Sequence, residues 1–199
     1  MHQRLSAVCG LIAPLLFCAT IVAFTWLHPG YSHATQAISE LGMPGAPYAL
    51  AWNGIAFVMV GMLATAFALG LARVLGQTPT AKWVSGLMIA SGLGNLGWGL
   101  FPAEPGFAAS MATALHFAMV MLNFFSFLVA VCLFGWKFRS HPYWRPWACF
   151  SWGIAVIAVS SFLIPPSVPV GISQRIGIGA YFLWLFVLAL GVWRAPAVK

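Results

Sequence analysis

Ser39 and Glu40 stand side by side in the stretch YSHATQAISELG, residues Tyr31 to Gly42, with His33 six positions before the serine. Glu40 is one of two acidic residues among 199; the other, Glu104, precedes His116 by twelve positions. Farther along, Gln174-Arg175 places an amide next to a guanidinium. A hydroxyl, an imidazole and a carboxylate are the parts of nucleophilic acyl chemistry. Ser39 would be the nucleophile, His116 the general base, and Glu40 or Glu104 the carboxylate that orients the imidazole. Arg175 and Gln174 would bind an anionic headgroup or a developing oxyanion, and His33 and Asn53 complete the candidate substrate contacts. No G-x-S-x-G elbow surrounds Ser39, so its surroundings in sequence do not by themselves mark a nucleophile.

The same residues admit other chemistry. In a non-catalytic binder or sensor, Arg175 would hold a phosphate or carboxylate while Glu40 and Glu104 balance its charge, and Ser39 would be dispensable. A mixed nitrogen and oxygen metal site from His33, Glu40, Glu104 and His116 lacks close ligand spacing of the H-E-x-x-H kind. No metal and no other cofactor is therefore expected. A transporter would need ionisable groups near mid-membrane or broken half-helices, and neither pattern is present. Plainer roles exist too: Arg175 could neutralise itself on Glu40 or Glu104, and His116 could be an interhelical hydrogen-bonder.

What must position these residues is a membrane bundle. The chain is 62% hydrophobic, 6% charged, and has a mean hydropathy of +0.94; a soluble domain carries about 25% charged residues. Six apolar runs are each long enough to cross a hydrocarbon layer about 30 Å thick: Leu5–Leu27, Leu50–Ala72, Trp83–Leu100, Ala112–Phe134, Trp147–Ile164 and Ile172–Trp193. They lack the two-residue alternation of barrel strands. The first run is longer than a signal-peptide core and is followed by no cleavage pattern, so it is expected to remain as helix one. The connections are too short for a second domain. The expected fold is all-α, a single domain over residues 1–199 made of six transmembrane helices.

Threading the helices alternately puts Arg4, Arg73, Lys82, Lys137, Arg139, Arg145, Arg194 and Lys199 on one side and Arg175 alone on the other. By the positive-inside rule the basic side is cytoplasmic, both termini lie there, and the protein is a multi-pass protein of the cell membrane. The net charge of +7 is thus orientation and lipid contact, not nucleic-acid binding. Cys9, Cys18, Cys132 and Cys149 lie in or near apolar runs and form no external pair. Trp26, Trp52 and Trp98 are expected at one interface, and Trp83, Trp136, Trp144, Trp147 and Trp193 at the other. Gly86, Ala90 and Gly94 make a small-residue stripe, to which Gly92, Gly97 and Gly99 add, and it should set helix three at the centre, with Asn95 bonding across to a neighbour.

Proline ends each outward-going helix, at His28-Pro29, Phe101-Pro102 and Ile164-Pro165-Pro166. The opening stretch then falls in the longest external loop. With Ser32 as N-cap, His33 to Leu41 could form a short amphipathic helix closed by Gly42. Glu104, His116, Asn123, Asn53 and Gln174-Arg175 come to the same side. Both carboxylates, the exceptional arginine and three of the five histidines converge at the extracytoplasmic interface, where ionisable groups are costly and usually paired or functional. The expected partners are membrane lipids and a lipid-like or anionic small molecule.

At these residues the chain resembles the multi-pass family described as domain of unknown function 998. The likeness rests on Ile38-Ser39-Glu40-Leu41-Gly42, Phe101-Pro102 with Glu104 two residues on, His116, and Gly171 with Gln174-Arg175. It implies a six-helix membrane bundle and assigns no activity.

Overall fold

The computed structural model describes residues 3–76, 78–165 and 167–196. Pro166 and Lys199 lie outside the described residues. The chain folds into α1 (Gln3–Trp26), α2 (Ala49–Val74), α3 (Pro79–Leu100), α4 (Met111–Phe138), α5 (Arg145–Leu163) and α6 (Val170–Arg194), with 3-10 turns at Ile38–Gly42 and Pro105–Phe107. No strand forms among the described residues. The helices start where capping chemistry permits. Thr78 Oγ1 accepts from the Ala81 N–H at 3.2 Å ahead of Pro79, and Ser110 Oγ accepts from the Thr113 N–H at 3.1 Å. They stop shortly before Pro29, Pro102 and Pro165.

Five helices, α1, α2, α4, α5 and α6, are long and apolar enough to cross a membrane. Helix α3 has the length, but its glycines and Asn95 stand where the others carry aliphatic side chains. Hydropathy thus supports five of the six expected spans. Each helix packs on its neighbours in chain order and α6 closes back on α1, so the bundle is a ring. Helix α3 sits between α2 and α4 with backbones nearly touching. A Cβ on Gly61 would fall 2.6 Å from the Leu96 nitrogen, and one on Gly94 would fall 2.6 Å from that of Asn123. Of the expected small residues Gly92, Gly94, Gly97 and Gly99 make the close approaches, on the faces that meet α2 and α4, whereas Gly86 faces open space. The expected central place of this helix is corrected: it is one member of the ring and packs on its two neighbours.

Asn95 does bond across: its Nδ2 donates to the Phe57 carbonyl at 3.1 Å. That carbonyl lies in a π-helical segment, Asn53–Met59, where the widened turn disturbs the regular backbone ladder. Three expected interfacial tryptophans are core instead. Trp52, Trp98 and Trp144 are buried, the first two edge-on to Phe57 and the third against Phe134. Their partners lie inside the ring, and burying so large a ring surface there outweighs an interfacial seat. Trp26, Trp83, Trp136 and Trp193 are exposed.

The basic ends are gathered together. Arg4 lies over the Trp193 ring at 5.7 Å, Gln3 Nε2 donates to the carbonyls of Val192 and Ala195 at 2.9 Å, and the Tyr143 hydroxyl donates to Gly191 at 2.7 Å. At the opposite end the loop between α1 and α2 folds over the ring. It is not the expected helix over His33–Leu41: turns through Gln36 lead to an extended Ala37 and then the 3-10 turn.

Candidate functional site

The reason that loop leaves the helical path is that side chains capture its backbone. Glu40 accepts the Ala37 N–H on Oε1 at 2.7 Å and the Gln36 amide on Oε2 at 3.2 Å. Gln36 Oε1 accepts the Ser32 N–H at 2.8 Å, and the Tyr31 hydroxyl donates to the Ala37 carbonyl at 3.0 Å. From α6, Gln174 Oε1 accepts the Ile38 N–H at 2.6 Å. Arg175 donates through Nη1 to the carbonyls of Gln36 at 3.0 Å and Gly171 at 2.9 Å, and through Nη2 to the Tyr31 hydroxyl at 2.8 Å. From α2, Asn53 Nδ2 donates to the Gly42 carbonyl at 2.8 Å. Two glycines permit this docking. A Cβ on Gly171 would lie 2.5 Å from the carbonyl oxygens of His33 and Ala34, and one on Gly42 would lie 2.1 Å from Asn53 Oδ1. Tyr31 is held above its ordinary pKa chiefly by burial; the hydrogen bond and charge of Arg175 oppose this, and Glu40 adds to it.

The clamped loop roofs a cavity of about 340 Å³ bounded by α2, α3, α4, α5 and α6. Ser39, His116, Asn123, Ser161, Ser173, Gln174 and Tyr181 form its polar lining. Ser39 is 8% exposed, and its hydroxyl has no hydrogen-bond partner among the described residues. His116 Nδ1 stands 3.0 Å from the Phe101 carbonyl, with the Trp98 carbonyl nearby. A carbonyl only accepts, so Nδ1 carries the proton and Nε2 the lone pair. Asn123 spends Nδ2 on Ser91, 2.8 Å from its carbonyl and 3.0 Å from Oγ, which leaves Oδ1 free. The Tyr181 hydroxyl is buried beside the side chains of Ser91 and Asn123. No lysine, arginine, aspartate or glutamate lines the space. The rest is apolar. On the α4–α5 side, Phe117 (46% exposed), Met121 (36%) and Phe162 (53%) carry the lining to the outside of the bundle.

The structure therefore divides the candidate residues. Ser39, His116 and Gln174 line one cavity. Glu40, Arg175 and Asn53 hold the loop without lining the cavity, and Gln174 does both. His33 is exposed and lies beside Arg175. Glu104 donates its N–H to Thr113 Oγ1 at 3.0 Å, and its carboxylate makes no hydrogen bond among the described residues. Neither carboxylate hydrogen-bonds His116, whose orienting partner is a backbone carbonyl. Arg175 forms no ion pair among the described residues; its acceptors are two carbonyls and a phenol. The four side chains of the metal alternative do not assemble, and no three His, Cys, Asp or Glu groups do so among the described residues.

Tyr181 and Ser161 were not singled out from the sequence. Tyr181 carried a usable signal: it lies seven residues after Gln174, as Asn123 lies seven after His116, and two helical turns return to the same face. No curated protein and no solved structure matches the chain. Over residues 11–191 it matches the family model described as Protein of unknown function (DUF998), and it belongs to that family.

Proposed function

We propose that this chain is a six-span protein of the cell membrane, with both termini cytoplasmic, that binds an uncharged amphiphile in the cavity at its extracytoplasmic end. The observation that carries this reading is the cavity's composition: an uncharged polar wall of Ser39, His116, Asn123 and Gln174 continues into an apolar rim on the outside of the bundle. Its volume suits a small-molecule site. A free phosphate or carboxylate fits poorly, because burying a charge without a countercharge is expensive and Arg175 is turned to the loop. A hydroxyl or ester headgroup would find donors and acceptors at the polar wall, and its chain would leave along Phe117, Met121 and Phe162.

The test is photo-crosslinking in lipid nanodiscs with a diazirine-tailed monoacylglycerol. Adducts are expected on α4 and α6 peptides, reduced at least tenfold by Val120→Trp, which fills the cavity. Unlabelled monoacylglycerol should compete and lysophosphatidate should not. Equal labelling of wild type and Val120→Trp overturns the reading.

A second reading, ester hydrolysis, is favoured by one specific feature. The Ser39 hydroxyl and the imidazole of His116 line the same cavity, and neither the hydroxyl nor Nε2 is hydrogen-bonded. Ser39 Oγ would attack an ester carbonyl while Nε2 takes its proton. The departing alcohol would regain that proton, and water would release the acyl group from the serine.

A further inference from the structure

A second apolar space lies elsewhere on the bundle, on the surface between α1 and α6. It is a groove of about 390 Å³ whose walls include Leu15, Cys18, Phe182 and Leu183, with Arg175 at one end. A Cβ on Gly179 would meet nothing within 4 Å, so the groove is open where α6 carries that glycine. Its α6 side runs from Arg175 to Phe186, about 16 Å at 1.5 Å per residue. That is about half of a hydrocarbon core roughly 30 Å thick, the depth of one leaflet. Leu15 and Leu183 are 59% and 49% exposed, so the groove faces lipid and not the ring interior.

Arg175 supplies the charge that names the occupant. Of the five N–H donors of a guanidinium, three are used, all on uncharged acceptors. The nearby Glu40 carboxylate is directed to the Ala37 N–H and the Gln36 amide. The cation therefore stands at the end of an acyl-sized groove with no contacting carboxylate among the described residues. A lipid phosphate is the countercharge a membrane offers at that depth.

We infer that the α1–α6 groove is a binding site for one anionic phospholipid, with an acyl chain along Leu15, Cys18 and Leu183 and the phosphate at Arg175. Ile38 and Ile178 line both this groove and the cavity, but Arg175 lines only the groove, and what the groove holds does not rest on what the cavity holds.

Native mass spectrometry of the full chain, released from detergent with equal phosphatidylglycerol and phosphatidylcholine, reads the inference directly. The wild type should retain one phosphatidylglycerol about fivefold over phosphatidylcholine, the ratio set by one basic residue near a membrane surface. Leu183→Trp fills the groove at an exposed position, leaves the loop clamp untouched, and should remove that adduct. Arg175→Lys should keep the preference and Arg175→Gln should lose it, while Val120→Trp should leave the adduct in place. Equal retention of the two lipids by the wild type overturns the inference. So does a phosphatidylglycerol adduct that persists in Leu183→Trp, which would put the lipid at the basic end of the bundle.

Discussion

Gly171→Ala is the sharpest probe of the clamp that holds Ser39 over the cavity. The added Cβ would lie 2.5 Å from the carbonyl oxygens of His33 and Ala34 and 2.7 Å from that of Gln36, whereas ordinary contact begins at 3.4 Å. These are backbone atoms, so the loop or the start of α6 must retreat by about 0.9 Å. Taken along the two bonds that join them, that retreat stretches Arg175 to Gln36 from 3.0 to about 3.9 Å and Gln174 to Ile38 from 2.6 to about 3.5 Å. Both then exceed the working range of about 3.2 Å. A charge-assisted bond contributes about 1.5–3 kcal/mol and a neutral one about 1 kcal/mol; the unfolded-chain gain of alanine over glycine does not enter, because α6 stays helical when only the loop opens. The loss of about 2.5–4 kcal/mol falls on the loop and raises its opening equilibrium roughly 60- to 700-fold. Amide exchange measured by mass spectrometry should show Ile38 to Met43 losing protection by that factor. Gly153→Ala, whose Cβ would meet nothing within 4 Å, should leave those amides unchanged. Exchange of Ile38 to Met43 within threefold of wild type in Gly171→Ala would refute the argument that this glycine is required by close backbone approach.

Two further outcomes are expected. On the hydrolase reading, a fluorophosphonate probe in native membranes labels the wild type and fails to label Ser39→Ala or His116→Ala; an unlabelled, well-folded wild type removes Ser39 as a nucleophile and leaves the binding reading alone. Tyr31 titrates above its ordinary pKa of 10 because of burial. The folded state thus holds the phenolic proton more tightly than the unfolded state, so the contribution to loop stability is full below pH 10 and is lost as pH rises through the folded value. Loop protection should fall above pH 10 in the wild type and show no such step in Tyr31→Phe, with an unchanged profile in the wild type counting against it.

Much of the helical framework was legible because the signals are local. Proline follows closely on the ends of three helices, and unbroken apolar runs mark the helices within a few residues of their observed ends. Asn95 was legible as a cross-helix donor, since an amide in an apolar helix needs a partner. Gly92, Gly94, Gly97 and Gly99 were legible as packing residues, but Gly86 was not separable from them, because spacing identifies small residues and not which face meets a neighbour. Trp52, Trp98 and Trp144 were misread for a related reason. An aromatic near a helix end suits an interface or a core equally, and only its neighbours decide. The His33–Leu41 helix failed because the loop's partners, Arg175 and Gln174, lie more than 130 residues away.

The sequence by itself determined that this is an apolar helical chain, that its basic residues gather at one end, and that Ser39, Glu40, His116, Gln174 and Arg175 belong near the other. Those properties follow from composition and from period, which act along the chain. Tertiary structure alone decided how these polar residues divide the work. Ser39 and His116 turn to a cavity without fixed charge, Gln174 lines it while accepting the Ile38 N–H, and Glu40 and Arg175 are taken up by the loop's own backbone. The physical reason is that backbone donors and acceptors away from water must be satisfied, and the strongest hydrogen-bonding side chains within reach are the charged ones. Which carbonyls and amides come within reach is settled only when the ring closes α6 onto α1.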